Sequence, residues 1–112
     1  MSTPSIAIAS AARTAVGSFN GAFANMPAHE LGAAVIKGVL ERAGVEPGEG
    51  NELILSQVLP AGEGQNPARQ SAIKAGIPQE PTVWGVDQLC CSGLRAVALG
   101  GGIGVPMCAK AA

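Results

Sequence analysis

Apolar positions along this chain follow two different periods. Between Ser5 and Ala9, Ile6 and Ile8 alternate with small residues, the period-2 pattern of a strand, and the stretch from Arg13 to Gly17 breaks it. From Pro27 onward, Ala28, Leu31, Val35, Ile36, Val39, Leu40 and Ala43 recur at three- and four-residue spacing. That spacing predicts the buried side of an amphipathic helix, with Pro27 as its first residue, Met26 at its N-cap and Gly44 closing it. Residues 45–51 are turn chemistry, and Leu53 to Leu59 form a nearly continuous apolar run of strand length. A run of that kind belongs to a strand covered on both faces. Asn66 and Pro67 then suit an N-cap and first position for a short helix over residues 68–75, which Gly76 and Pro78 close. Thr82 to Val86 reads as a third strand. Leu94 to Leu99 reads as a third helix whose first turn begins beside Cys90 and Cys91. The expected fold is therefore α/β, in the order β-α-β-α-β-α: a parallel-sheet layer with right-handed crossovers and flanking helices.

Past Leu99 the pattern changes abruptly. Three consecutive glycines from Gly100, followed by Pro106, are expected to end the third helix after about two turns. We place a boundary there, with residues 1–99 as one partial domain and residues 100–112 as a glycine-rich tail.

Composition narrows the classes of function. The chain has 112 residues, within one domain of about 100–200. Its 7 basic and 8 acidic residues make 13%, against about 25% in an ordinary globular domain. With 47% hydrophobic residues the chain has ample surface to drive collapse but too little charge to coat a monomer. Poor solubility or self-association into a homo-oligomer is expected. The net charge of −1, with lysines and arginines scattered singly, offers no stripe for a phosphate backbone, so nucleic acid is not an expected partner. The charge-free run from Ala96 to Ala109 is 14 residues long and broken by glycines, short of the roughly 20 that span a bilayer, so no membrane partner is expected. Three cysteines, two of them adjacent, make a poor disulfide framework, which points to a reducing, cytoplasmic compartment.

Candidate chemistry gathers at Cys90. It falls between the C-terminal end of a predicted strand and the start of the next helix, the edge of a parallel sheet where ligands bind. The unpaired N–H groups and positive end of such a helix favour negative charge on sulfur and can stabilise an oxyanion. Ser92 and Gly93 suit a tight strand-to-helix turn. The competing reading is a small buried hydrophobe, the usual fate of a free cysteine. A metal site would have to gather Cys90, Cys91, Cys108 and His29, without the spacing that announces one, and no metal is expected. His29, the only histidine, reads as a solvated residue of the first helical turn. The glycines at 100–104 do not fit a dinucleotide fingerprint, and no phosphate-loop motif occurs, so no cofactor is expected. The loop from Gly62 to Asn66 reads as a connection before a capped helix.

Three stretches carry a resemblance. Ile6 to Thr14 with Gly17, Gln57 to Gln70 with Leu31-Gly32, and Gln88-Leu89-Cys90-Cys91-Ser92-Gly93-Leu94-Arg95-Ala96-Val97-Ala98 together resemble the N-terminal part of biosynthetic-type thiolases, the acetyl-CoA C-acetyltransferases. The resemblance implies an incomplete thiolase-like N-terminal domain in which Cys90 carries the acyl group, with Cys91 in a variable slot. It implies acetyl-CoA or another acyl-CoA as substrate, an acyl-thioester intermediate, and condensation of two acetyl-CoA to acetoacetyl-CoA or the reverse. The family's Gly-His-Pro, Asn-Glu-Ala-Phe and Cys-x-Gly motifs are not complete in this sequence. Gly100 to Cys108 resembles the glycine-rich end of the last of these; on that alignment Ala98 stands where the family has its acid/base cysteine, and Gly100 where it has an oxyanion donor. The implied chain joins a thiolase start to a short piece of thiolase tail. The alternative is a non-catalytic chain that associates with a full-length thiolase, or an inactive remnant.

Overall fold

The computed structural model describes residues 5–102 in full and, beyond them, the backbone of 103 and 107–111. Its elements run α1 (Ala28–Ala43), a short 3-10 turn (Pro47–Glu49), β1 (Glu52–Ser56), α2 (Pro67–Lys74), β2 (Thr82–Val86), α3 (Ser92–Ile103) and β3 (Met107–Ala111). All strand pairings are parallel, in the order β2-β1-β3. The α/β class stands, but the order of elements is corrected. Residues 5–9 form no strand, and the third strand lies instead at 107–111.

The reason lies in β1. Its five residues pair with β2 on one side, Glu52 opposite Thr82, and with β3 on the other, Glu52 opposite Met107. Both of its edges are filled. The segment 5–9 runs outside the sheet, with Ile6 and Ile8 exposed. Just beyond it, Ser10 Oγ donates to Val39 O (2.7 Å) and Arg42 Nη1 donates to Ala11 O (2.6 Å), which tie this arm to the last turns of α1.

The connection from β1 to β2 moves one way across the sheet, and the connection from β2 to β3 moves back past β1. Right-handed crossovers then put α2 and α3 on opposite faces. The packing agrees. Leu53 and its register partner Val83 cluster with Ala33 and Ile36 of α1 and Ala68 and Ala72 of α2. Ile54, pointing the other way in the pleat, and Ala96 of α3 are fully buried outside that cluster. This is why Leu53 and Ile54 can be neighbours and both apolar.

Local chemistry explains the helix ends. Pro27, extended at φ −60° and ψ 144°, is the N-cap of α1 rather than its first residue, and no side chain caps it. Gly44 closes α1 in the left-handed region at φ 67°. Asn66 caps α2 as expected, its side chain accepting from Arg69 N at 3.1 Å while Nδ2 donates to Val83 O at 3.2 Å. The third helix does not stop at Gly100: it continues through Gly100–Gly102 to Ile103. Glycine lowers helix propensity by about 1 kcal/mol against alanine without forbidding the helix, and Gly100 is buried there.

Helix α1 meets α2 at Gly32. A Cβ on Gly32 would stand 2.6 Å from Ser71 Oγ and 3.2 Å from Ser71 Cβ. Ser71 is fully buried, and its hydroxyl donates to His29 O at 3.0 Å. Gly32→Ala is therefore expected to lose about 1–3 kcal/mol to overpacking, more than the roughly 1 kcal/mol it gains in helix propensity. A lower melting temperature in circular dichroism checks this, and Ser71→Ala in the same chain is expected to recover part of the loss, as a double-mutant cycle would read. Glu30 and Lys74 form an exposed ion pair across the same junction (2.9 Å), and the hydrogen bond from Lys74 holds the Glu30 carboxyl below its usual range.

Candidate functional site

Strand β2 ends at Val86, and α3 begins at Ser92. The residues between them form a braced turn. Asp87 Oδ1 accepts from Leu89 N at 2.9 Å, a side-chain mimic of a backbone turn. Cys91 N donates to Gln88 O and Ser92 N to Leu89 O, both at 3.1 Å. The Ser92 hydroxyl accepts from Gln88 N and donates to Leu89 O, each at 2.7 Å. Arg95 N donates to Cys91 O at 2.9 Å, so Cys91 supplies the first carbonyl of the helical ladder.

Leu89 sits at φ 50°, in the left-handed region that a leucine rarely adopts. Its strained backbone is held by the hydrogen bonds on both sides of it, and it immediately precedes Cys90. Cys90 and Cys91 are both free thiols and both exposed. The packed-hydrophobe reading of Cys90 therefore fails, because its side chain faces solvent at the C-terminal edge of the sheet. Ser92 is 3% exposed, and Gly93 is half-buried beneath the turn.

The neighbouring loop is organised by α2. Gln70 Nε2 donates to Glu63 O (2.8 Å) and Gln65 O (2.9 Å), and Gly64 takes a positive φ of 82°. Arg69 Nη1 and Nη2 donate to Gln79 O and Pro81 O, which fixes the approach to β2. Between this loop and the end of β2 lies an open cleft of about 160 Å³, lined by Leu55, Gln57, Pro67, Gly85 and Asp87. Cys90 lies three residues along the chain from its rim.

The remaining expectations fall elsewhere. His29 lies in the first turn of α1 but is half-buried, and its Nδ1 is buried without a hydrogen-bond partner, so it is not a solvated residue. Ala98 is exposed and Gly100 buried on α3. The Cys108 side chain and residues 104–106 lie outside the described residues. Among the described residues no three His, Cys, Asp or Glu side chains gather as metal ligands, and no helix is long and apolar enough to cross a membrane. Cys90 and Ser92 lie on the strand-to-helix turn where the sequence located them, and Asp87 and Leu89, which shape that turn, were not singled out from the sequence. Asp87 carries a legible signal, an aspartate two residues before the N–H it binds; Leu89 carries none.

The chain is thus a parallel α/β sheet with an exposed cysteine on a strand-to-helix turn. The family described as thiolase, N-terminal domain, matches residues 6–103, and the chain belongs to the thiolase family. It is 80% identical to an acetyl-CoA acetyltransferase of Rhizobium meliloti and 81% identical to one of Shinella zoogloeoides, in each case over 89% of this chain and 25% of the relative. The chain thus spans about a quarter of the length of these relatives. Among solved structures, the Acat5 thiolase from Ascaris suum in complex with coenzyme A is similar with a TM-score of 0.81 and 33% identity, covering 83% of this chain and 24% of that one.

Proposed function

We propose that this chain carries the acyl-accepting half of a thiolase-type acyltransferase, with Cys90 as nucleophile and acetyl-CoA or another acyl-CoA as substrate. The observation that supports it is the exposed Cys90 thiol on a turn that Ser92 and Asp87 brace around a strained Leu89. Strain of that kind clusters where a side chain must be presented in a fixed position. In the proposed step Cys90 Sγ attacks the thioester carbonyl carbon, a new C–S bond forms, and the bond to coenzyme A breaks. Coenzyme A leaves as a thiol with the proton that Cys90 gave up. The relatives named acetyl-CoA acetyltransferase and the coenzyme A complex of a similar fold support this substrate class.

The second half-reaction, condensation with another acetyl-CoA, asks for acid/base groups from the Gly-His-Pro and Cys-x-Gly motifs, which these 112 residues do not contain in full. Each such group contributes about 10²–10⁴-fold. The chain by itself is expected to form the acyl-thioester without turning over. Its free thiols fit a reducing, cytoplasmic setting.

Incubation with acetyl-CoA, followed by intact mass and peptide mapping, tests this proposal. A single acetyl group lost in Cys90→Ser and kept in Cys91→Ser is the expected result. No adduct, or equal labelling of all three cysteines, overturns it. A second reading has its own observation: Leu89, Leu94 and Val97 are exposed on and beside α3, Leu94 at 76%. An apolar face of this kind favours self-association or association with a full-length thiolase. Co-purification with such a partner, abolished by Leu94→Lys, would support it, and a monodisperse monomer would count against it.

A further inference from the structure

We propose that Cys90 and Cys91 together form a chelating dithiol that takes trivalent arsenicals, a chemistry separate from acyl transfer and open to the same turn. The two thiols are adjacent in the chain, both free and both exposed. Their backbone is fixed: Cys91 N is bonded to Gln88 O, Cys91 O to Arg95 N, and the Ser92 hydroxyl closes the turn around them. Both side chains are exposed, and chelation asks that the two turn toward one common atom.

A disulfide between these neighbours would close a small ring through one peptide bond, far from the separation and dihedral that disulfides prefer. Inserting one arsenic atom enlarges that ring and relieves the constraint. The pair is therefore poorly suited to internal oxidation and well suited to a bridging atom. Trivalent arsenic is thiophilic and binds through two sulfurs held side by side. With phenylarsine oxide, two As–S bonds form, the bonds from arsenic to oxygen break, and the oxygen leaves as water with both thiol protons. Arsenic stays trivalent, and no oxidant or reductant is consumed. Once one sulfur has bound, the second reacts within the same turn at high effective concentration. Linked sites of this kind gain about 10²–10⁴-fold over single ones.

The test uses the whole chain, phenylarsine oxide as probe and an excess of the monothiol glutathione, which strips singly attached arsenic. Intact mass is expected to show one phenylarsenic group per chain. Mapping is expected to place it on the peptide that contains Cys90 and Cys91, with both thiols protected from iodoacetamide. Cys90→Ser and Cys91→Ser are each expected to weaken retention by about 10²-fold or more, while Cys108→Ser leaves it unchanged. Retention that survives either of the first two substitutions, or that requires Cys108, overturns the proposal. So does a wild-type map with either thiol of the pair left open to alkylation, a reading that needs no variant to fold. Because no acyl-CoA is present, failure here is distinct from failure of thioester formation at Cys90.

Discussion

Ile54→Ala is expected to lower the unfolding free energy by about 2–5 kcal/mol, the usual loss when a fully buried isoleucine is cut back. Ile54 is 0% exposed in the central strand, and that strand is paired on both sides, so the sheet cannot close over the cavity without shifting two neighbours. Domains of this size are stable by about 5–15 kcal/mol, so the loss is a large share of the whole. Urea unfolding followed by circular dichroism measures it as a fall in midpoint at constant slope. Ile8→Ala is the matching control. Ile8 is 81% exposed, outside the sheet, and its replacement is expected to stay within about 0.5 kcal/mol of the parent. A loss at Ile8 as large as that at Ile54 would overturn the placement of the N-terminal arm.

Ser92→Ala is expected to cost about 1–3 kcal/mol, because it removes both hydrogen bonds of one buried hydroxyl, the one from Gln88 N and the one to Leu89 O. Gln88 N and Leu89 O both bond to Ser92 Oγ, which is itself buried. The larger effect is expected on chemistry. Without the hydroxyl Gln88 is tied to the turn through Cys91 N alone, and the left-handed backbone of Leu89 is held only by Asp87 Oδ1 and Ser92 N, so Cys90 is presented less firmly. Thioester formation at Cys90 is expected to fall while titration with a thiol reagent still counts the same cysteines. Ser92→Thr, which keeps the hydroxyl, is expected to recover part of both losses. An alanine variant as stable as the parent and as readily acetylated would show that the turn holds itself without Ser92.

The parts of the fold that were legible in the sequence are those set by local chemistry. The left-handed Gly44 after α1, the Asn66-Pro67 start of α2, and the run Thr82–Val86 as a strand all depend on neighbours in the chain. The alternation of Ile6 and Ile8 was legible too, but it states only that the segment suits a pleated surface, not which strand will accept it. Partner choice is non-local, and here β3 occupies the edge. The glycines at 100–102 misled for a related reason: propensity is a small local preference, and α3, packed across all three strands, overrides it. At the candidate site, Cys90 was legible from its position between strand and helix and from the residues shared with thiolases. Its exposure and the strain at Leu89 were not, because both depend on how the turn is cross-braced.

The register of the sheet also sets an order of events during synthesis. Glu52 waits thirty positions for Thr82 but fifty-five for Met107. In chain entropy the longer wait costs only about 0.5 kcal/mol more, since loop closure grows with the logarithm of length. Time separates the two pairings more than free energy does. At about 5–20 residues per second, β1, α2 and β2 can meet while the last strand is still being made. For that interval the far edge of β1 stands open, and the first segment available to it is the alternating stretch at Ser5–Ala9.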